Sequence, residues 1–157
     1  MHIKLIVIGK TDNKNMQSLI EEYCKRLSFY IKFELEIIAD LKNVKNITEA
    51  QQKEKEGDLL LSKISATDYL ILLDENGKSY SSLDFSDFLQ KKMNSGIKTL
   101  VFVIGGPYGF SQAVYNKSQA KISLSQMTFS HQMVRLFIIE QLYRGFTILK
   151  NEPYHHQ

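Results

Sequence analysis

Three short stretches of almost unbroken apolar residues constrain this chain most: 3–8, 69–73 and 99–104, each running straight into a Gly or an Asp. A strand with one wet face alternates apolar and polar residues, whereas a strand covered on both faces reads as a continuous apolar run. Such strands need helices above and below, and the segments between them carry helical spacing. Met16, Leu19, Ile20, Tyr23 and Leu27 share one helical face. Thr48-Glu49-Ala50-Gln51 has the form of a capping box, opening a helix whose later apolar stripe includes Leu60, Leu61 and Ile64. Ser82 is placed to cap a helix carrying Phe85, Phe88, Leu89 and Met93, with Gly96 to end it. Lys32–Ile38 reads as a fourth strand with one wetter face, because Phe33, Leu35 and Ile37 alternate with Glu34 and Glu36; residues 121–124 read as a short fifth. The alternation predicts an α/β fold, a mainly parallel sheet flanked by helices. A length of 157 residues, 43% of them hydrophobic, with two prolines and no repeat or linker, predicts one domain over residues 1–157.

The last helix, expected over 130–149, is unusual. Met133, Val134, Leu136, Phe137, Ile138, Ile139, Leu142, Tyr143 and Phe146 occupy nearly all of its circumference. A surface helix keeps one polar face, so this one must be covered on more than one side. The cover is either its own sheet and neighbours or a second subunit, and in so small a domain the second subunit is the expected one.

Bulk charge narrows the partners. Twenty Lys and Arg against seventeen Asp and Glu leave a net charge of +3, which permits an RNA partner without demanding one. Cys24 is the only cysteine, so no intrachain disulfide or cysteine zinc site is available, and its place in a helix predicts a packed structural thiol. The four histidines lack ligand spacing and no carboxylate motif supports them, so no metal is expected. No stretch is apolar for long enough to span a membrane, and the strand-like N-terminus does not read as a signal peptide. A cytoplasmic protein is the expectation.

The chemistry-bearing residues crowd into the last third. Gly9-Lys10-Thr11 resembles the end of a phosphate-binding loop, but Lys4 stands where that loop needs its first glycine, so a strand-end turn is expected. Gly105-Gly106-Pro107-Tyr108-Gly109 does not have dinucleotide-motif spacing; it follows a central strand, either as a turn or as backbone that approaches a ligand closely. The sparsely charged 124–129 segment is either a buried connection or a loop whose backbone bonds a neutral heterocycle such as adenine, without phosphates. His131 and Arg135 share one face at the start of the last helix, as a polar end or an anion site. Tyr154, His155 and His156 make an aromatic, polar terminus after Pro153.

Taken together, Lys4 through Lys10, the turn from Leu72 to Lys78, the strand end Val103-Ile104-Gly105-Gly106, the run from Ser125 to Arg135, Gln141-Leu142-Tyr143-Arg144 and the Tyr154-His155 end closely resemble the RlmH family of SPOUT methyltransferases, over essentially the whole chain. That resemblance implies a SPOUT fold with a C-terminal deep trefoil knot, a homodimer with the knotted region at its interface, and S-adenosylmethionine as cofactor. It implies a cofactor site at Leu73, Gly105, Leu124, Ser125, Gln126, Met127, Thr128 and Phe129. It also implies the activity, methylation of N3 of a pseudouridine in 23S ribosomal RNA, with the assembled ribosome as substrate. Two positions depart from the family pattern: Pro107-Tyr108, where members vary, and Ser130, where proline is common and a serine cap can serve instead.

Methylating N3 requires the base to be held in line with the donor methyl and helped to lose a proton. Arg135 and Arg144 are the candidates for positioning or charge stabilisation. His131 and His155 are the candidate proton carriers, and Tyr154 the candidate stacking residue over the base. A non-catalytic ribosome-associated or nucleotide-binding module is the competing reading from another class. A SPOUT enzyme acting on tRNA ribose is disfavoured by the motifs and by the absence of an appended RNA-binding segment.

Overall fold

A computed structural model describes residues 1–156; Gln157 lies outside the described residues. The elements alternate as expected: β1 (His2–Ile8), α1 (Lys14–Ser28), β2 (Lys32–Ile38), α2 (Glu49–Ser62), β3 (Tyr69–Ser79), α3 (Ser82–Asn94), β4 (Thr99–Ile104), α4 (Gln112–Lys117), β5 (Ala120–Ser123) and α5 (His131–Leu149). The strands form one five-stranded sheet in the order β2-β1-β4-β3-β5, and every pairing is parallel.

The continuous apolar runs are explained by two cores, one on each face. Ile3, Leu5, Val7, Leu100, Phe102 and Ile104 face the side carrying α1, α3 and α5, where they meet Ile20, Leu27, Phe85, Leu89, Ile138 and Leu142. Their sequence neighbours Ile6, Ile8, Val101 and Val103, with Leu70 and Leu72, face the opposite side and pack on Leu60, Phe110 and Val114. Successive side chains on a strand point to opposite faces, so a strand between two cores needs an apolar residue at every position. His2 and Lys4 are the exceptions in β1, and Lys4 pairs with Glu34 and Glu36 of β2 at 3.8 Å each. Burying a side chain of this size stabilises by about 1.5–3 kcal/mol, so the two cores carry most of the fold.

Caps follow the local sequence. Thr48 and Gln51 form the expected capping box, with reciprocal bonds of 3.1 and 2.9 Å. Gly96, at φ 79°, follows the end of α3 in the left-handed region that favours glycine. The cap of α3 is Ser81, not Ser82: Ser81 Oγ accepts from Asp84 N at 3.1 Å, while Ser82 is the first helical residue and donates to Gln141 Oε1 at 2.8 Å. Helix α4, capped by Ser111, was not legible in the sequence because only Val114 of its six residues is buried.

Two expectations change. The strand expected over 69–73 and the turn expected after it are one irregular strand, Tyr69–Ser79, in which Leu73 and Lys78 both lie opposite Ile122. The residues between them bulge out of the pairing with β5 before it resumes. Gly77 lies so close there that an added Cβ would stand 2.6 Å from the Ile122 backbone. The apolar circumference of α5 is also largely used within the chain, since Ile138, Ile139, Leu142 and Phe146 are buried among α1, α3 and the sheet. Met133, Leu136, Phe137 and Tyr143 remain half-buried. Cys24 is half-buried in α1, and burial pushes its thiol up to about 11, as suits a packing residue.

Gly77→Ala should test this contact. The methyl group would have to move backbone, an overpacking cost of about 1–3 kcal/mol. A fall in Tm of roughly 2–4 °C per kcal/mol is expected by calorimetry; an unchanged Tm would show that the contact is loose.

Candidate functional site

The crossovers from β3 and β4 leave on opposite sides of the sheet: α3 packs on the α1–α5 side, α4 on the α2 side. A crevice opens at the carboxyl ends of the strands where neighbouring connections part in this way. It has a volume of about 480 Å³, and its walls come from the ends of β3, β4 and β5, the 124–129 loop and the start of α5. Of the expected cofactor residues, Leu73, Gly105, Leu124, Ser125, Met127, Thr128 and Phe129 line it, and Gln126 does not. The sequence reading missed Asp74, Glu75, Phe110 and Tyr115, among others on the wall.

The loop is held by its own serines. Ser123 Oγ donates to Ser125 O at 2.8 Å, and Met127 N donates to Ser125 Oγ at 3.0 Å. Phe129 is anchored edge-on to Phe137, ring centroids 5.1 Å apart. Across the crevice, Asp74 accepts from the Tyr115 hydroxyl at 2.6 Å and from Asn76 N at 2.8 Å. Burial, followed by the bond to Asp74, pushes the Tyr115 phenol up to about 12, so it remains a neutral donor. Among the described residues, the crevice wall carries the carboxyls of Asp74 and Glu75 and no Lys or Arg. Such a wall suits a ligand with positive charge and a flat apolar part; it does not suit phosphates.

The glycines after β4 make room for protein. A Cβ on Gly105 would lie 3.1 Å from the ring of Phe110, itself a crevice wall. A Cβ on Gly106 would lie 2.1 Å from Glu56 Oε2. Glu56 is buried in α2 beneath this turn, with Gln52 Nε2 donating to its Oε1 at 2.9 Å. The atoms that these glycines approach closely are protein side chains: Phe110 in the crevice wall and Glu56 behind the turn.

The catalytic candidates fall in three places. His131 lines the crevice at the exposed start of α5. Arg135, one turn on, points elsewhere: it is 2% exposed, and its Nη2 donates to Ile8 O at 2.7 Å and its Nη1 to Thr11 Oγ1 at 3.0 Å. Burial lowers the pKa of this guanidinium, opposed by Asp40 and Asp12. Its visible work is to tie α5 to the end of β1. Arg144, Tyr154 and His155 gather farther along α5, away from the crevice wall. The chain turns back after α5 through Asn151, at φ 52°. Tyr154 then stacks edge-on against Tyr143 at 4.7 Å and shares a hydroxyl bond with Tyr23 at 3.1 Å. Burial and the bonds with Tyr23 and Glu140 raise the Tyr154 pKa well above the usual phenol range. Tyr30 donates to Glu152 and fastens the same turn. The tail is thus docked on the rest of its own chain, and none of Arg144, Tyr154 and His155 lines the crevice.

A second cavity of about 310 Å³ lies between the two groups. It shares Ile122, Leu124 and Phe129 with the crevice and reaches Glu140 and Gln141. Leu124 and Phe129 are the partition, so the crevice and the Arg144 cluster stand on either side of one loop.

Replacing Arg135 by Met should separate the roles. It removes two bonds from a charged, buried donor, each worth about 1.5–3 kcal/mol. Chemical denaturation is expected to show a loss of at least about 2 kcal/mol, with ligand affinity at the crevice kept within about threefold. A stable variant with lost affinity would move Arg135 into the binding machinery.

The match to known proteins follows the same geometry. A family model described as a predicted SPOUT methyltransferase matches residues 1–155. The chain is 82% identical to the ribosomal RNA large subunit methyltransferase H of Flavobacterium psychrophilum, and 78% identical to that of Flavobacterium johnsoniae. It is 62% identical to the protein of the same name from Parabacteroides distasonis; each match covers 100% of both chains. The parallel sheet, the crevice at its β4-β3-β5 edge and these full-length matches agree: the chain belongs to the RlmH family of SPOUT methyltransferases.

Proposed function

We propose that this protein methylates N3 of a pseudouridine in 23S ribosomal RNA, using S-adenosylmethionine and acting on assembled ribosomes. The observation that carries the reading is the crevice itself: acidic and apolar walls with no Lys or Arg among the described residues, bordered by the 124–129 loop. A cofactor that joins an adenine to a positively charged sulfonium and an ammonium fits that donor set. ATP or NADP does not, because their phosphates would face Asp74 and Glu75. When bound, this cofactor supplies an electrophilic methyl group. The residues 124–129 and Leu73 would hold its flat part, and Asp74, kept in place by Tyr115 and Asn76, would face its positive charge. The names of the relatives support ribosomal RNA as the substrate.

The reading treats residues 1–157 as one knotted domain working in the cytoplasm. The knot is what membership of the family implies; residues 73–78 bulge out of the β3–β5 pairing, and Gly77 lies against the Ile122 backbone. Among the described residues, no helix is long and apolar enough to cross a membrane. The net charge of +3 gives one subunit a modest electrostatic hold on RNA, which favours a substrate whose folded shape adds contacts.

A strain lacking the gene should lose one methyl group from a pseudouridine of its large-subunit RNA, read by mass spectrometry of nuclease fragments. The intact gene should restore it, and Gly105→Val should not. The added side chain would push Phe110 into the crevice and weaken S-adenosylmethionine by at least ~10-fold in calorimetry. An unaltered methylation pattern in the deletion strain would overturn the activity.

A homodimer is part of the same proposal. Met127 is 73% exposed and Phe129 is also exposed, beside the half-buried Met133 and Phe137. Such a patch beside a ligand crevice suits a partner subunit. Light scattering should return a mass near twice 18.2 kDa at micromolar concentration, and Phe137→Glu should return the monomer.

A further inference from the structure

Glu140, on the side of α5 away from the core, organises the chain end. Its Oε1 accepts from Arg144 Nε at 3.0 Å, from Arg144 Nη2 at 2.6 Å and from the Tyr154 hydroxyl at 3.0 Å. Its Oε2 accepts from Gln141 Nε2 at 2.8 Å. The guanidinium also lies over the Tyr154 ring, 4.7 Å from its centroid. The fork of Arg144 is therefore fixed from two directions, and the bond to Glu140 raises its pKa further.

With Nε and Nη2 committed, Nη1 is the remaining nitrogen of Arg144, and it stands 3.3 Å from His155 Nδ1. A guanidinium can only donate. In this contact, Nδ1 must be the ring nitrogen with the free lone pair, so a neutral imidazole carries its hydrogen on Nε2. The nitrogen left for a ligand is then a donor. A proton acceptor would need the opposite tautomer.

We propose that Glu140 and Arg144 are positioning residues that hold His155 in its Nε2–H form, so that His155 donates a hydrogen bond to a carbonyl oxygen of the target base rather than taking the N3 proton. This rests on the reading that the chain end meets the target base. In the transfer, N3 gives its proton to water and forms its new bond to the methyl carbon as the bond from that carbon to sulfur breaks, leaving a neutral thioether. Negative charge shared between N3 and its flanking carbonyl oxygens builds up on the way, and a donor already aimed at one oxygen stabilises it. Glu140 also borders the second cavity, on the far side of the Leu124–Phe129 partition from the crevice. Glu140 thus joins this cluster to the wall of the cavity next to the crevice.

The full-length protein labelled with ¹⁵N-histidine tests the hold directly, in long-range ¹⁵N–¹H spectra at about pH 8, where free imidazole is neutral. The His155 ring, assigned by its loss in His155→Gln, should show an unprotonated Nδ1 and a protonated Nε2. Glu140→Ala and Arg144→Ala should each yield a mixture of tautomers. A His155 ring protonated on Nδ1 in the unaltered protein overturns the proposal, as does a tautomer indifferent to both substitutions. The donor role is read on ribosomes. His155→Gln keeps an N–H donor that cannot accept a proton, and turnover should fall by no more than ~10-fold; His155→Phe should lose ~100-fold or more. If the Gln variant is as inactive as the Phe variant, His155 acts as a base and the proposal fails. If the Phe variant turns over normally, the reading of the chain end fails with it, while the spectra still judge the Glu140–Arg144 hold on its own.

Discussion

The contact of residues 73–78 with β5 is the one on which the rest of the molecule depends. Backbone lies on backbone where Gly77 meets Ile122, with no side chain between them. That closeness sets β5 beside β3 at the sheet edge and brings the 123–130 loop over the strand ends. It thereby fixes where α5 begins. The crevice, the serine-braced loop and the tie from Arg135 to Ile8 and Thr11 are all downstream of it. Arg135 closes the arrangement from the other end, joining the last helix to the end of the first strand through a buried charge with two acceptors, its Nε left without a partner among the described residues.

Most of the fold was legible because buried strands between two cores leave a composition signal at every position. Strand β4 is the clearest case, since Thr99–Ile104 came out at its expected limits. The crevice was legible for a related reason. Ligand groups collect at strand ends: Gly105 and Leu124 directly follow β4 and β5, and Leu73 ends the apolar run of β3. What escaped were pairings that depend on three dimensions. Tyr115 sits on a six-residue helix with no periodicity to read, and its partner Asp74 lies 41 residues away. Asp74, a charge directly after a buried strand, was the available clue.

The reading of α5 shows where a pattern underdetermines its cause. A helix apolar all round requires cover, but the sequence does not say whose. Here α1, α3 and the sheet provide most of it, and what remains for a partner is the half-buried stripe from Met133 to Phe137. The chain end taught the converse. Terminal residues carry no periodicity, so the docking of Tyr154 on Tyr23 and Tyr143, and the role of Glu140 beneath it, could be found only in the structure.

The buried carboxyl of Glu56 has a consequence for how this sequence can drift. It occupies the volume that any side chain at 106 would need, and Gln52 keeps it from swinging away. Positions 56 and 106 are therefore one packing unit shared between a helix and the crevice floor. A larger residue at 106 is admissible only after 56 has become shorter, and a shorter residue at 56 alone leaves a void under the turn. Paths through sequence space must cross this pair in a fixed order, with the intermediate carrying the cavity.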